Sequence, residues 1–404
     1  PYVKKFTFGG LIFYFIALLI IINLPYIKSK WLDYKYKLTV FKQKHDKRAR
    51  IFKFLPAIII AIVLLGSILL LIPTKRDNEV DITFFSLSKG NVVFIKTPSG
   101  RNVLINAGKH SLYNRREWDE ADRVVMSILM SYGINRIDDL ILTDYSQDNN
   151  SAVTTILREY PVGKVYIPTD VQKASASSYE DFLKSTDNEY LLERGQAYWV
   201  KSRYETCQKV SNTLMSSKIP HVVVKAGDYI LRESKKVGNS EYVFEIYAIY
   251  PESSDKEDYF QDNMVLKADY ILKKKGIEIS RKQFLLAADL DRGEVDKLMS
   301  YKQYFDKVDV VLMPTRFLYN YKLKDMLNLA LPMDMLFHID YFNKGKELAQ
   351  FQKDFSYLKD KAGTNFYDLS VGYVRYKICD GKLLRFTSGN SSGDMEIADL
   401  QHEF

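Results

Sequence analysis

Cysteine is nearly absent from this chain of 404 residues, which holds Cys207 and Cys379 alone, far apart in sequence. Two thiols exclude a disulfide framework and leave either one bridge or two free side chains. Histidine is almost as scarce: His45, His110, His221, His338 and His402 are the full set. A metal centre built on several imidazoles therefore has little to draw on. No Walker-type phosphate loop, nucleophile elbow or CxxC pair occurs, which removes the usual signatures of nucleotide hydrolysis, serine-esterase and dithiol chemistry. Internal repeats and low-complexity tracts are also missing.

Long apolar runs, by contrast, occur twice. Phe6–Ile27 and Phe54–Ile72 contain no Asp, Glu, Lys or Arg. Each approaches the roughly 20 residues that a helix needs to cross a hydrocarbon core about 30 Å thick. They are predicted to be transmembrane helices, at about 6–27 and 54–72. The first lacks the A-x-A-like exit of a cleaved signal peptide.

Charge is divided unevenly between the two ends. Residues 1–76 hold fourteen Lys/Arg against Asp33 and Asp46, a balance of +12, so the rest of this +8 chain carries −4. Ten of the fourteen lie in the loop 28–53 between the apolar runs. By the positive-inside rule that loop is cytoplasmic and everything after about residue 76 is extracytoplasmic. A basic excess confined to a membrane-flanking loop speaks for headgroup contact rather than for a nucleic-acid-binding domain. With Pro1 as its first residue, the chain reads as the C-terminal part of a larger multi-pass protein of the cell membrane. The polar segment Pro73–Asp81 is the expected linker, short enough to keep a following domain close to the bilayer.

That domain is expected over 77–388, with 389–404 as a tail. Val80–Leu87, Asn91–Thr97 and Asn102–Gly108 read as strands, with "PSGR" (Pro98–Arg101) as a hairpin turn. Trp118–Tyr132 reads as an amphipathic helix, with Val124, Val125, Ile128, Leu129 and Tyr132 on one face and Gly133 closing it. The strand "DDLILTD", the helix "SAVTTILREY" and the strand "GKVYIP" follow. A polar stretch near 169–214 reads as a helical insertion. Strands then return ("HVVVKAGDYI", "YVFEIYAIYP", "MVLKADYILKK", "KQFLLAADLD", "DVVLMP", "MLFHIDYF", "YVRYKICDGKLLRF"), with helical pieces at Gly293–Lys302 and Lys346–Leu358. Hairpins first and alternation later predict two mixed sheets packed together with helices outside.

The stretch "LILTDYSQDNN" (Leu140–Asn150) carries the chemistry to be explained. A buried strand ends abruptly in polar residues, the place where α/β proteins keep functional loops. In order, these segments resemble the C-terminal end of ComEC-type DNA-internalisation (competence) proteins, over nearly the whole chain. "SLSKGNVVFIKTPSGRNVLINAG" is similar to that family's opening, a Gly-Gln-Gly-Asp turn, a hairpin and a Leu-Ile-Asp-x-Gly strand end. "VVMSILMSYGINRIDDLILTDYSQDNNSAV" is similar to its helix and the strand leading to His-x-His-x-Asp-His. "QDNMVLKADYILKKKGIEISRKQFLLAADLD" looks like the paired strands ending in Thr-Gly-Asp, and "DVVLMPTRF" like the strand before His-His-Gly.

The resemblance implies an α/β chain: two transmembrane helices, then a metallo-β-lactamase-like αββα sandwich, in a protein that passes single-stranded DNA inward. Its partners would be the membrane, single-stranded DNA and other competence proteins, with no small-molecule cofactor. The departures fall at the chemistry. The three His positions of the first-ligand motif read Asp144, Ser146 and Asn149, and Asp148 alone is kept. Thr-Gly-Asp reads Ala287-Ala288-Asp289, His-His reads Thr315-Arg316, and the earlier acidic positions read Asn91 and Asn106.

None of the five histidines stands at a ligand position, so zinc held by imidazoles is not expected. Oxygen-only ligation of Mg²⁺ or Mn²⁺ would have to use Asp144, Asp148 and Asp289. Arg316 opposes it, as a fixed charge that would repel a cation or pair with Asp148 or Asp289. The plainer expectation is that Asp148 and Asp289 cap a helix or bond loop amides, and that His338 is a satisfied core residue. The 29 tyrosines suit amphipathic cover for a sheet, or stacking faces for single strands.

The expectation is thus a degenerate domain without a cofactor, a non-catalytic scaffold or a docking module for DNA or a partner. One alternative is a Mn/Mg-dependent phosphodiesterase or nuclease at the channel mouth. Another is a membrane-anchored envelope protein unrelated to DNA.

Overall fold

The computed structural model describes residues 78–388, apart from 114–115, 169, 177, 184–196, 251–262, 288–289, 291, 315–321 and 340–343, and a few isolated positions before residue 37. The expected membrane helices, the loop between them and the tail 389–404 lie outside the described residues, save for those isolated positions. Among the described residues no helix is long and apolar enough to cross a membrane. The chain divides into two compact units, Pro1–Arg76 and Asp77–Phe404, and every element named below belongs to the second.

Its strands are β1 (Val80–Phe84), β2 (Val93–Lys96), β3 (Asn102–Ile105), β4 (His110–Tyr113), β5 (Arg116–Asp119), β6 (Ile137–Ile141), β7 (Val162–Ile167) and β8 (His221–Val223). They continue as β9 (Tyr229–Val237), β10 (Ser240–Tyr250), β11 (Val265–Lys274), β12 (Ile277–Leu286), β13 (Val310–Leu312), β14 (Asp334–Phe337), β15 (Asn365–Asp368), β16 (Val374–Cys379) and β17 (Lys382–Thr387). One sheet has the order β17-β16-β1-β2-β3-β6-β7-β8 and the other β15-β14-β13-β12-β11-β10-β9, with β4 and β5 a separate pair. Each large sheet is antiparallel at one side and parallel at the other. The parallel runs are β3-β6-β7-β8 in the first and β12-β13-β14-β15 in the second.

Alternation along the strands builds the layers. Ile82, Phe84, Ile95, Val103 and Ile105 face Phe244, Ile246, Leu266, Tyr270 and Phe284 across the space between the sheets. Phe84 of β1 meets Phe284 of β12 at 6.5 Å between ring centroids, and Tyr376 of β16 closes the trio edge-on to both. The outer face of the first sheet is covered by helix 121–131 (π-helical over Ala121–Met126, α-helical over Ser127–Ser131) and by Val153–Glu159 and Ala197–Ser217. Arg292–Leu298, Leu323–Ala330, Lys344–Phe355 and Tyr357–Ala362 lie along the second, whose outer core includes Val295, Leu327, Phe351 and Leu358. The result is the αββα layering read from the sequence. Among the described residues, the buried side chains of all three cores lie between Val80 and Ile378, within the second unit.

Several expected boundaries move. The linker ends earlier, because Val80 and Asp81 already pair with Ile378 and Lys377 in β1. Trp118 lies in β5, and the helix starts only after Asp119, whose carboxylate receives the Asp122 amide at 3.2 Å. "HVVVKAGDYI" is two strands in different sheets, split by a turn in which Gly227 has φ +90° and Asp228 N–H donates to the Lys225 carbonyl at 3.0 Å. Gly133 closes its helix as expected, at φ +71°. Cys207 is buried and Cys379 half-buried, and no disulfide joins them.

Candidate functional site

The strands of both parallel runs deliver their C-terminal ends to the same end of the sandwich. From the first sheet come Asn106 after β3 and the loop 142–150 after β6. From the second come Ala287 after β12, Met313 after β13 and His338 after β14. Two hydrogen bonds join the sheets there: Met264 N–H to the Thr143 carbonyl at 2.6 Å, and Asn91 Nδ2 to the Met313 carbonyl at 2.8 Å.

Asn106 organises the loop. Its backbone is left-handed at φ +62°, a conformation that asparagine tolerates better than most side chains. Its Oδ1 accepts from Thr143 N–H at 2.9 Å, Thr143 Oγ1 at 3.0 Å and Asn150 Nδ2 at 2.9 Å, while its Nδ2 donates to the Asn91 carbonyl at 2.9 Å. An acidic residue here could accept those bonds but could not donate the fourth.

The three positions where the resemblance places imidazoles are bonded to one another. Buried Asp144 accepts from Ser146 N–H at 2.8 Å on Oδ1 and from Asn149 Nδ2 at 2.6 Å on Oδ2, and the single Thr143 hydroxyl proton is shared between this Oδ2 and Asn106 Oδ1, each 3.0 Å away. Asn149 Oδ1 accepts from Asn91 N–H at 2.8 Å. Ser146 Oγ accepts the Asn149 amide at 3.3 Å as N-cap of the short helix Gln147–Asn150. Such donors compensate a buried carboxylate for lost hydration, and coordination would have to break them.

Asp148 does not cap that helix or bond loop amides, contrary to the plainer expectation. Ser146 caps, and Asp144 takes the loop amide. Asp148 is 1% exposed and stands 3.0 Å from Lys109 Nζ, a side chain 25% exposed. The contact is an ion pair by distance only: neither Asp148 oxygen receives an aligned hydrogen-bond donor among the described residues. A lysine ammonium therefore supplies the positive charge beside the Asp148 carboxylate. Lys109 carries no signal in the sequence beyond following Gly108 directly.

His338 is buried (3% exposed) as expected but is not satisfied, since neither ring nitrogen has a partner among the described residues. Burial pushes its pKa down to about 4, with the Asp148 charge pulling it back up and Lys89 pushing it further down. The imidazole is thus neutral near pH 7 and within the electrostatic reach of Asp148. Asp289, Thr315 and Arg316 lie outside the described residues, while Ala287 is buried and donates its amide to the Leu312 carbonyl at 3.1 Å.

The loop before β2 locks this arrangement. Ser88 N–H donates to Glu120 Oε1 at 3.0 Å and Lys109 N–H to Glu120 Oε2 at 2.8 Å. Burial raises the Glu120 pKa, and the bonds from Ser88 and the Lys109 amide oppose that rise. Gly90 has φ +102°, and a Cβ there would run into the Asp148 carbonyl oxygen. Gly90→Ala is expected to cost at least about 2 kcal/mol through strain and displacement of Asp148, measurable as a lower urea midpoint.

A dinuclear centre needs several free imidazoles and a bridging carboxylate. The described residues do not fit one: Asp144, Ser146 and Asn149 are engaged with each other, and Lys109 faces Asp148. No three His, Cys, Asp or Glu side chains among the described residues could share an ion.

Strand order and layering define a mixed α/β sandwich consistent with the metallo-β-lactamase fold. In sequence, the chain is 28% identical over 108 residues to ComE operon protein 3 of Bacillus subtilis (strain 168), an alignment covering 25% of this chain and 14% of that protein. The resemblance to ComEC-type proteins with a metallo-β-lactamase-like domain thus has a counterpart in sequence and in layering.

No family model matches. Among solved structures, a CmlA β-hydroxylase mutant is 13% identical at TM-score 0.37, covering 76% of this chain and 54% of that one. A subclass B3 metallo-β-lactamase from a soil metagenome library is 10% identical at TM-score 0.32, covering 69% and 94%. The Cronobacter sakazakii metallo-β-lactamase is 11% identical at TM-score 0.30, covering 68% and 92%. At such scores the fold statement rests on the strand order itself.

Proposed function

We propose that this chain is the C-terminal membrane and extracytoplasmic portion of a DNA-uptake channel protein, its sandwich domain a non-catalytic scaffold that docks DNA or partner proteins. The observation that supports a non-catalytic role is the closed network Asp144–Ser146–Asn149, completed by Lys109 against Asp148. The uptake role follows the resemblance to ComEC-type proteins. It brings the membrane, single-stranded DNA and other competence proteins as partners, and no metal or cofactor.

A carboxylate–Mn²⁺ or –Mg²⁺ phosphodiesterase using Asp144, Asp148 and Asp289 is the rival. In its favour, neither Asp148 oxygen has an aligned donor among the described residues. The two readings separate in the host cell. With Asp148→Asn and Asp289→Asn combined, transformation by added DNA is expected at the parental frequency, whereas deleting residues 77–388 lowers it. Loss of transformation in the double variant, at normal protein level, contradicts the scaffold reading. Unchanged transformation after the deletion contradicts any role in DNA uptake.

A further inference from the structure

The end of the sandwich opposite the ligand loop carries the β2–β3 turn and three further hairpin turns: Gly238–Asn239 between β9 and β10, Lys275–Gly276 between β11 and β12, and Asp380–Gly381 between β16 and β17. The last three form one surface. Lys275 N–H donates to the Asn239 carbonyl at 3.0 Å. Ser280 Oγ donates to the Gly381 carbonyl at 2.9 Å, and the Tyr242 hydroxyl to Asp380 Oδ1 at 3.0 Å.

Val237, Ser240, Lys274 and Ile277 stand in register across β9–β12. Two residues further along lie Tyr242 and Leu272, on the face that forms the core between the sheets. Paired residues of an antiparallel ladder share a face, so Val237 and Ile277 continue the core face beyond the cover of the other sheet. They are 46% and 70% exposed, and Ile279, beside a register shift in β12, is 50% exposed.

The charge of this end opposes that of its domain. Residues 235–241, 273–279 and 380–382 hold Lys235, Lys236, Lys273, Lys274, Lys275 and Lys382 against Glu241, Glu278 and Asp380, a local +3, or +2 with Glu79 at the start of the domain, on a unit whose total is −4. Glu278 is moreover paired with Arg281 at 2.8 Å. The domain also begins here: Val80 pairs with Ile378, and the Asn78 side chain meets the Tyr242 hydroxyl. Five residues, Pro73–Asp77, separate Asn78 from the apolar run that ends at Ile72. Extended, the six steps from Ile72 to Asn78 reach at most about 22 Å.

We propose that this three-turn end rests on an anionic lipid surface, the lysines against phosphate headgroups and Val237, Ile277 and Ile279 at the headgroup–acyl boundary. The inference rests on the membrane reading of residues 54–72 and deepens it. Basic residues flanking a small apolar patch are the composition that an anionic leaflet attracts. The ligand loop would then face away from the bilayer, at a distance of about 30 Å, the length of a ten-residue strand such as β12.

The test is flotation of purified residues 77–404 with phosphatidylcholine vesicles, with and without phosphatidylglycerol. Binding is expected only with phosphatidylglycerol, falling as salt rises. Lys273, Lys274 and Lys275 changed together to alanine are expected to weaken it about 100-fold. Ile277→Ser with Ile279→Ser is expected to weaken it at unchanged charge. Lys359→Ala with Lys361→Ala, on the helix Tyr357–Ala362, is expected to leave it unchanged.

Absence of binding to phosphatidylglycerol vesicles overturns the proposal, as does binding indifferent to the three-lysine variant, each with an unchanged melting curve. Carbonate extraction of the full chain from cell membranes reads the anchoring separately. A chain that stays in the membrane fraction while residues 77–404 ignore vesicles sinks this inference alone.

Discussion

Lys109→Met is expected to lower the stability of the domain by about 3 kcal/mol, because it removes the ammonium that stands 3.0 Å from the buried Asp148 carboxylate. Breaking a buried pair by removing one partner costs about 3–5 kcal/mol. Water reaches part of the Lys109 side chain, which is 25% exposed, so the lower end of that range applies. Asp148→Asn added to Lys109→Met is expected to recover most of the loss, since an amide can be buried at lower cost than a charge. Urea unfolding of the four combinations gives the coupling directly. If Lys109→Met unfolds at the wild-type midpoint, the ammonium does not stand in for a cation at Asp148.

Lowering the pH from about 7 to 4 is expected to draw up to about 3 kcal/mol from the fold through His338 alone. The side chain titrates near 6.5 when unfolded and at about 4 when folded, chiefly because burial disfavours its charged form. Between those values the unfolded chain binds the additional proton. The contribution is therefore in place above about 6.5, falls as pH drops, and levels off below about 4.

The buried carboxyls of Glu120, Asp139, Glu245 and Asp269 have pKa values raised by burial and act in the opposite sense, favouring the fold as pH falls. His338→Leu isolates the histidine. The stability difference between wild type and this variant should shift by about 3 kcal/mol in the variant's favour between pH 7 and pH 4. A difference that stays constant with pH means that His338 is hydrated or paired.

The layers were legible in the sequence because strand periodicity and hairpin turns are local signals. β1 to β3, β6 and β10 to β12 read as apolar runs of strand length bounded by turn residues, and the order of hairpins and crossovers separates two mixed sheets from one doubly wound sheet. Boundaries set by tertiary contacts were less legible. Trp118 has helical company on its C-terminal side, yet β5 pairs with β4, and only the Asp119 carboxylate marks where the helix begins.

In the site, the sequence shows Asp144, Ser146 and Asn149 where the resemblance would put histidines. It does not show how they are bonded. The partners of Asn106 and Asp148 come from distant parts of the chain, and a lysine after a glycine has no pattern that announces an ion pair. His338 looked like a core residue and is one, but that its ring nitrogens have no partner among the described residues is visible only in three dimensions.

The most direct test of the vacated site is hydrolysis of single- and double-stranded DNA by purified residues 77–404 in the presence of Mn²⁺. No cleavage above the metal-alone background is expected, with wild type indistinguishable from Asp148→Ala and Asp289→Ala. Mn²⁺-dependent cleavage that both substitutions abolish would contradict the account and return Asp144, Asp148 and Asp289 to the role of metal ligands.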